Sequence, residues 1–500
     1  MSDRPHLVTK ILASLFVAAA AFWIGLAHFS ITEKWQQGQH ARWLSLSSTG
    51  DALLAQGKLD DAYKAHREGL AIAERLVASD RSNVKWASKL SLSHMKIGDV
   101  FLAQGSLEFA LKAYRDGLAI AERLDAMDGS DRDLGLQSGL MGSYEKLGGL
   151  LARLKKFSEA LKAYRDALAI AERPAAGDRT NTGRQSHVSS LYINVGNLLV
   201  EEGSLDAALT AYRDSLTIAK RLAAADHSNA RWQRDLVVSF QRVGDALVMQ
   251  GKLPDALAAY RDGLAIAERL AATNRDDVGW QSYLSASYRK LGNVLVAKGN
   301  LDDALAAYGD SVVSAERLAA ADRNNTGWQR DLSISYMKIG NVLLAQGKLE
   351  DALRAYRNNL AVTQRLAAVS NNVQQQGDLS VSYSKLGNVL VAKGNLDDAL
   401  KAYLDSLAIA QRLAASDRNN TQRQRDLILS YEKVSDVLTT QGRLYDALKV
   451  RRDSLAIDER LATADRSNVG AESGQSASYV KVADTLQGQM PQIRAFSLSR

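Results

Sequence analysis

Residues 280–320, WQSYLSASYRKLGNVLVAKGNLDDALAAYGDSVVSAERLAA, decide the fold. In the first half, apolar side chains recur at steps of three and four from Trp280 to Leu295, which is the spacing of one helix face. Gly299 then ends the helix, because glycine readily takes the left-handed conformation of a C-cap. The second half repeats the helical spacing, and asparagine in the polar link 322–325 is a good N-cap for a further helix. The stretch therefore predicts a pair of helices of roughly 18–20 residues each.

This pattern recurs through most of the chain. A Gly-x-Leu-x-x-Ala step marks the turn of each copy, and Lys155 stands at the glycine position in one of them. Successive steps lie 48, 50, 48, 48, 48, 48, 47 and 48 residues apart. Nine units, with a tenth half-unit from Ser473, predict a solenoid that grows by stacking, although 500 residues alone suggest about three domains. The glycines of the step are Gly57, Gly105, Gly203, Gly251, Gly299, Gly347, Gly394 and Gly442.

The composition and the missing motifs argue against enzymatic chemistry. Cysteine is absent, which excludes disulfides, cysteine-ligated zinc, iron–sulfur clusters and thiol catalysis. The seven histidines form no HExxH motif, and the Gln-Gly-Lys-Leu steps lack the first glycine and the hydroxyl residue of a phosphate-binding loop. We therefore expect no catalytic residue, no cofactor and no metal site. The net charge of +7 is spread along the chain, so we expect no nucleic-acid partner.

Each unit carries a recognisable set of aromatic and small residues. The first helix ends in Tyr-x-Lys-[Leu/Ile]-Gly-[Asn/Asp]-x-Leu, and the second carries Ala-x-x-x-Tyr. This pattern resembles the tetratricopeptide repeat (TPR) family, in a long-period form of the bacterial type, since the family's basic unit has about 34 residues. The resemblance implies an all-α, TPR-like α-solenoid, a superhelix of antiparallel helix pairs. In one unit the matching residues are Tyr336, Ile339, Gly340, Leu343, Ala352 and Tyr356.

The third unit departs from the others. Lys155 replaces the turn glycine, Pro174 replaces a leucine of the second helix, and Arg184 stands where other units carry tryptophan. Proline removes a backbone donor and shortens a helix. We therefore expect a kink or a local softening between the third and fourth units.

The amino terminus predicts a membrane segment. Residues 11–29, ILASLFVAAAAFWIGLAHF, carry no formal charge and would span about 28 Å as a helix. We expect an N-terminal transmembrane or signal-anchor helix in a single-pass protein, with the solenoid outside the cytoplasm, in the periplasm. The alternatives are a cleaved signal peptide followed by secretion, and a buried first helix. The predicted domains are the tail and anchor at 1–30, the solenoid of nine and a half repeats at 31–490, and a C-terminal tail at 491–500.

A ladder of polar residues on the first helices is the candidate binding site. A basic residue stands two positions before the glycine of the Leu-Gly pair, and Asn or Asp follows that glycine, so the two share a helix face. The TPR resemblance implies that such residues line a concave groove and hold a peptide. Lysines favour acidic segments, and asparagine amides suit a peptide backbone. The alternative is silent recurrence of duplicated surface residues. The predicted groove residues are Lys96, Asp99, Asn197, Arg242, Asp245, Lys290, Asn293, Lys338, Asn341, Lys385, Asn388, Lys433 and Asp436.

Together these observations predict a non-enzymatic, membrane-anchored scaffold that binds protein or peptide partners on its concave face. The alternative is a structural spacer that self-assembles and has no dedicated peptide site, because the ends of stacked repeats pair with other copies unless polar faces cap them.

Overall fold

A computed structural model describes residues 33–128, 134–172, 182–273, 277–369 and 372–464. Within these ranges the chain forms 18 α-helices, as the all-α prediction required. Most have 20 to 22 residues, and α6 is described over 16. The helices are α1 (33–55), α2 (Leu59–Ser79), α3 (Val84–Ala103), α4 (Leu107–Asp128), α5 (Leu134–Arg153), α6 (Phe157–Glu172), α7 (Thr182–Glu201), α8 (Leu205–Ala225), α9 (Ala230–Met249), α10 (Leu253–Thr273), α11 (Val278–Ala297), α12 (Leu301–Ala321), α13 (Thr326–Ala345), α14 (Leu349–Val369), α15 (Val373–Ala392), α16 (Leu396–Ser416), α17 (Thr421–Thr440) and α18 (Leu444–Ala464).

The chain divides into two compact units, Met1–Gln250 and Gly251–Arg500. The first contains α1–α9 and the second contains α10–α18. Inside each unit, helices contact their neighbours in chain order, and the odd-numbered helix of one hairpin also touches that of the next, as α3 touches α5 and α11 touches α13. Each unit is therefore built from helical hairpins that are stacked in the manner of an α-solenoid.

The turn inside each hairpin is closed by a residue in the left-handed conformation. All eight turn glycines have φ between +72° and +80°. At the end of α13, the amide of Gly347 donates to Leu344 O and that of Lys348 donates to Leu343 O, which is a Schellman cap. Lys155 holds the same conformation with φ of +58°, although its Cβ makes that conformation costly.

The two helices of a hairpin cross closely because one side of the contact has no side chain. In the hairpin of α13 and α14, a Cβ on Gly340 would lie only 2.7 Å from Cε1 of Tyr356. The Tyr356 ring is fully buried and packs in a core with Ala352 and Leu343. The TPR-like set of small and aromatic residues therefore fixes how tightly the helices pack.

The links between hairpins use asparagine or aspartate as N-caps, as the sequence predicted. The Asn325 side chain accepts a hydrogen bond from Trp328 N at 3.1 Å and caps α13. Asn83, Asn229 and Asp277 cap α3, α9 and α11 in the same way.

The predicted single-pass membrane helix was wrong, and so was the localisation that rested on it. None of the helices in the described ranges is long and apolar enough to cross a membrane. These helices are apolar on the side packed against neighbouring helices, and their opposite faces carry charged residues. The segment at 11–29 itself lies outside the described residues, as do the tail at 491–500 and the half-unit from Ser473.

The third hairpin departs from the others where the sequence departs. Pro174 lies outside the described residues, and α6 is described as far as Glu172. The Arg184 guanidinium donates to Ala171 O at 2.7 Å and to Ile170 O at 2.5 Å. Arg184 thus joins the start of α7 to carbonyl oxygens of the last described residues of α6. The expected softening at this point stays a prediction.

Candidate functional site

The structure places the predicted ladder on the second half of the odd-numbered helices. Lys96 and Asp99 lie on α3, Asn197 on α7, and Arg242 with Asp245 on α9, all in the first unit. In the second unit, each of four successive odd-numbered helices carries one basic residue and one amide or acid. These pairs are Lys290 and Asn293 on α11, Lys338 and Asn341 on α13, Lys385 and Asn388 on α15, and Lys433 and Asp436 on α17.

The Asn and Asp positions of the ladder bond to the second helix of their own hairpin. The Tyr356 hydroxyl donates to Asn341 Oδ1 at 2.9 Å, and four more hairpins repeat this bond at 2.7 to 2.8 Å. Burial raises the pKa of Tyr356 to about 12, so the hydroxyl stays a donor. The other four pairs are Tyr114 with Asp99, Tyr212 with Asn197, Tyr308 with Asn293, and Tyr403 with Asn388.

These five hydrogen bonds, called the tyrosine lock below, were not predicted from the sequence, although the sequence contains a regular spacing that indicates them. Tyrosine follows the ladder Asn or Asp by 15 residues in each of these hairpins. In the last hairpin Arg451 takes the tyrosine position and donates to Asp436 Oδ1 at 3.0 Å. The amide oxygens expected to meet a peptide therefore already accept a bond inside the protein.

In the first unit, carboxylates neutralise the ladder lysines. Lys96 Nζ lies 2.8 Å from both carboxylate oxygens of Asp51, the ladder acid of the preceding hairpin. Lys146 Nζ lies 2.7 and 2.9 Å from the oxygens of Asp99 in the same way. Each ion pair links one hairpin to the next.

In the second unit, the acids that would form these pairs are replaced by amides. Asn293, Asn341 and Asn388 precede Lys338, Lys385 and Lys433 by one repeat. The Lys433 ammonium donates to Asn388 Oδ1 at 2.8 Å and lies 5.4 Å from the centre of the Tyr403 ring. With the residues that the structure describes, Lys338 and Lys385 form neither a hydrogen bond nor an ion pair. The row therefore keeps its positive charge.

The pKa values of two lysines in this row are lowered, as expected for half-buried cations that lie near other cations. Burial lowers the pKa of Lys338, and the charges of Arg289 and Lys385 lower it further. The pKa of Lys433 is lowered by burial and by Lys385, and Asp436 acts in the opposite direction. The positive charges of these lysines repel one another, which disfavours their protonated forms.

A cleft of about 280 Å³ lies between α15 and α17, beside this row, with α16 at its base. Its walls combine two exposed apolar side chains, Val381 and Leu429, with the ammonium groups of Lys385 and Lys433. Arg423 and Asp426 also line it, so basic groups outnumber carboxylates three to one. The cleft thus offers apolar contacts next to positive charge.

The apolar walls are a second feature that sequence reasoning missed. Val381 and Leu429 are 47% and 54% exposed and each stands four positions before a ladder lysine, on the same helix face. On α13 the equivalent residue is Ile334. An apolar row running beside the lysine row was therefore visible in the repeats.

The carboxylates on the same face are engaged within the second unit. Asp331 accepts from Arg289 Nη1 at 2.7 Å, and Asp378 accepts from Arg330 Nε at 2.6 Å. Asp426 accepts from Gln422 at 2.9 Å. Asp331 and Asp378 are thereby paired with arginines, whereas the half-buried Lys338 and Lys385 have no carboxylate partner among the described residues.

The first unit has a cleft at the corresponding place, between α3 and α5, with a volume of about 360 Å³. Leu92 and Leu136 line it together with serines and glycines. Its ladder lysine, Lys146, is the one paired with Asp99. The two clefts therefore occupy corresponding places between odd-numbered helices and differ in charge.

The described ranges contain no group of three or more His, Asp or Glu side chains that could hold a metal ion.

Comparison with known proteins gives a family and distant structural neighbours. The family model described as tetratricopeptide repeat matches residues 140–173, 188–229, 334–367 and 379–417. These matches do not test the 48-residue period.

Among solved structures, the apo form of RapI is similar over 84% of this chain and 98% of that chain, with 12% identity and a TM-score of 0.49. The Rap conjugation gene regulator of plasmid pLS20, in complex with the Phr* peptide, has 16% identity over 84% of this chain and 96% of that chain, with a TM-score of 0.37. A STAND-type signal transduction ATPase with a tetratricopeptide repeat sensor from Pyrococcus horikoshii has 12% identity over 84% of this chain and 52% of that chain, with a TM-score of 0.43. No curated protein matches the sequence.

The family model matches two segments in each unit, and both units consist of stacked helical hairpins in which a tyrosine packs on a glycine. The chain therefore carries tetratricopeptide repeats in both units.

Proposed function

We propose that this protein is a non-enzymatic scaffold that binds a segment of a protein partner in the cleft between α15 and α17. The observation that carries the proposal is the pair of exposed apolar side chains, Val381 and Leu429, set in a concave surface next to polar groups. Binding sites typically combine an apolar lining with a few polar groups that fix orientation. The family also supports protein binding in general.

The dimensions of the cleft suit a side chain of a peptide. A volume of about 280 Å³ accommodates one or two large side chains and not a whole folded domain. Ser384 and Asn388 line the same cleft, and the Ser384 hydroxyl and the NH₂ group of Asn388 suit the carbonyls of an extended segment. A segment lying across α15 and α17 would bury both apolar side chains at once.

Two glycines allow a matched test of this proposal. A Cβ on Gly377, in the α15–α17 cleft, would meet no atom within 4 Å, and the same is true of Gly139 in the α3–α5 cleft. The substitutions Gly377→Trp and Gly139→Trp therefore each add an indole to one cleft from a position where the Cβ itself meets no neighbour.

The experiment selects binders from a random library of 12-residue peptides on the full chain and then measures their affinity for both variants. We expect selected peptides to lose at least tenfold in affinity for Gly377→Trp and to keep their affinity for Gly139→Trp. Failure to enrich any peptide, or binding unchanged by Gly377→Trp, would refute the proposal. Light scattering on the same samples tests the alternative, because a self-assembling spacer forms larger species as its concentration rises.

A further inference from the structure

We infer that the segment bound by this protein is acidic, with apolar side chains between its carboxylates, and that its carboxylates bind Lys338, Lys385 and Lys433. The inference rests on the proposed function, since it names the chemistry of the partner for the same cleft. It follows from a difference between the ladder lysines of the two units, Lys96 and Lys146 against the lysine row of the second unit, and from the spacing of that row.

The first step is the comparison of ladder acids with ladder amides. In the first unit Asp51 and Asp99 bind Lys96 and Lys146 at 2.7 to 2.9 Å. In the second unit the corresponding amides leave the lysine charges uncompensated. Amide and carboxylate both accept the tyrosine bond equally well, as Tyr114 with Asp99 and Tyr403 with Asn388 demonstrate. The tyrosine lock therefore does not require asparagine, and what asparagine changes is the charge of the face.

The second step considers the alternative that these surface residues recur only because the repeats were duplicated, and that they bind nothing. Recurrence of near copies explains why most hairpins have a basic residue at the ladder position, with Asn194 on α7 as an exception. It does not explain why acids precede Lys96 and Lys146 whereas amides precede the lysines of the second unit. Asn293, Asn341 and Asn388 stand on three successive odd-numbered helices, and the two lysines without a partner follow directly. Like charges in a row repel one another, and the binding of an anion relieves this repulsion. Such a cluster is typical of a binding surface.

The third step is the spacing of the ligand. Packed helices lie about 8–10 Å apart, and an extended chain in the polyproline II conformation advances about 3.1 Å per residue and presents every third side chain to the same side. Carboxylates that meet lysines on neighbouring odd-numbered helices are therefore about three residues apart. The residues between them face Ile334, Val381 and Leu429, which stand one helical turn from the lysines. The expected ligand has an acidic residue at roughly every third position and apolar residues between.

The test converts the second unit into the charge pattern of the first. In the double variant Asn341→Asp and Asn388→Asp, the new carboxylates face Lys385 and Lys433 as Asp99 faces Lys146. Folding is expected to persist, because Asp99 already accepts both a tyrosine and a lysine in the first unit. Asn197→Asp makes the same chemical change on α7 and serves as the matched control.

The probe is a fluorescein-labelled 12-residue peptide with glutamate at every third position and leucine between. The control peptide carries glutamine in place of each glutamate. Fluorescence anisotropy gives affinities for the full chain at low and high salt. We expect the glutamate peptide to bind at least tenfold more tightly than the glutamine peptide, and to lose at least tenfold in affinity for the double variant but not for Asn197→Asp. High salt should weaken the binding.

Equal affinity for the two peptides, or binding unchanged in the double variant, would overturn the inference. The proposed function is refuted by a different result, namely that Gly377→Trp weakens the binding of no selected library peptide. A library peptide that is neutral, and that Gly377→Trp blocks, would keep the cleft as a binding site and remove its preference for acid.

Discussion

The close crossing of the two helices in a hairpin predicts that replacing glycine by alanine destabilises the hairpin at Gly340 and stabilises the helix at Gly377. In Gly340→Ala the new methyl group would lie 2.7, 2.8 and 2.9 Å from Cε1, Cδ1 and Cζ of Tyr356. The ring is fully buried, and its hydroxyl is held by Asn341, so it has nowhere to move. In Gly377→Ala the methyl group meets no atom within 4 Å.

The magnitudes follow from two opposing contributions. Overpacking a core costs about 1–3 kcal/mol, whereas replacing glycine by alanine inside a helix gains about 1 kcal/mol. Gly340→Ala is therefore expected to destabilise its hairpin by up to about 2 kcal/mol, and Gly377→Ala to stabilise α15 by about 0.5–1 kcal/mol.

Hydrogen exchange measured by mass spectrometry suits this prediction, because repeat proteins open locally and each hairpin is read out separately. A change of about 1.4 kcal/mol corresponds to a tenfold change in exchange. Amides of α13 and α14 should exchange roughly tenfold faster in Gly340→Ala, and those of α15 a few times more slowly in Gly377→Ala. Equal effects at the two glycines would refute the assigned packing of Tyr356 on Gly340.

Two further substitutions test other features of the hairpins. Lys155 has a left-handed φ of +58°, which is costly for a residue with a Cβ, so Lys155→Gly should stabilise the hairpin of α5 and α6 by about 1 kcal/mol. The amides of that hairpin should then exchange their hydrogens more slowly, and faster exchange would contradict the prediction. Burial lowers the pKa of His66 below 6.5, and Lys96 lowers it further, although Asp51 and Asp99 oppose the shift. The unfolded chain therefore binds the proton more readily, and wild-type stability should fall as the pH drops below about 6.5. His66→Tyr places the usual tyrosine beside Asp51 and should reduce this loss in urea unfolding at acid pH; an unchanged pH dependence would contradict the prediction.

Much of the fold was predictable from the sequence because each helix buries one stripe against its neighbours. The helical spacing from Trp280 to Leu295, the turn at Gly299 and the N-cap at Asn325 are local features, and the structure has all three. The membrane helix was a prediction from hydropathy alone, and the described helices, each with a charged face, do not support it.

The candidate site was only partly predictable. Helical spacing places Lys385 and Asn388 on one face, but it does not reveal which atoms they meet on other helices. The bond from Tyr403 to Asn388 joins positions 15 residues apart, and that from Lys433 to Asn388 joins positions 45 apart. Only the packed hairpins show that an aspartate at such a position neutralises the next lysine, whereas an asparagine leaves it charged.

Zero-length cross-linking tests the central claim most directly, because a carbodiimide joins a carboxylate to an ammonium group only when the two are in contact. The full chain is mixed with the 12-residue glutamate peptide, cross-linked, digested and analysed by mass spectrometry. We predict cross-links concentrated at Lys338, Lys385 and Lys433, and few at Lys64, although the Lys64 side chain is 77% exposed. Cross-links between Lys96 and Asp51 or between Lys146 and Asp99 form within the chain and are set aside. Peptide cross-links distributed according to exposure, or found mainly at Lys96 and Lys146, would contradict the account.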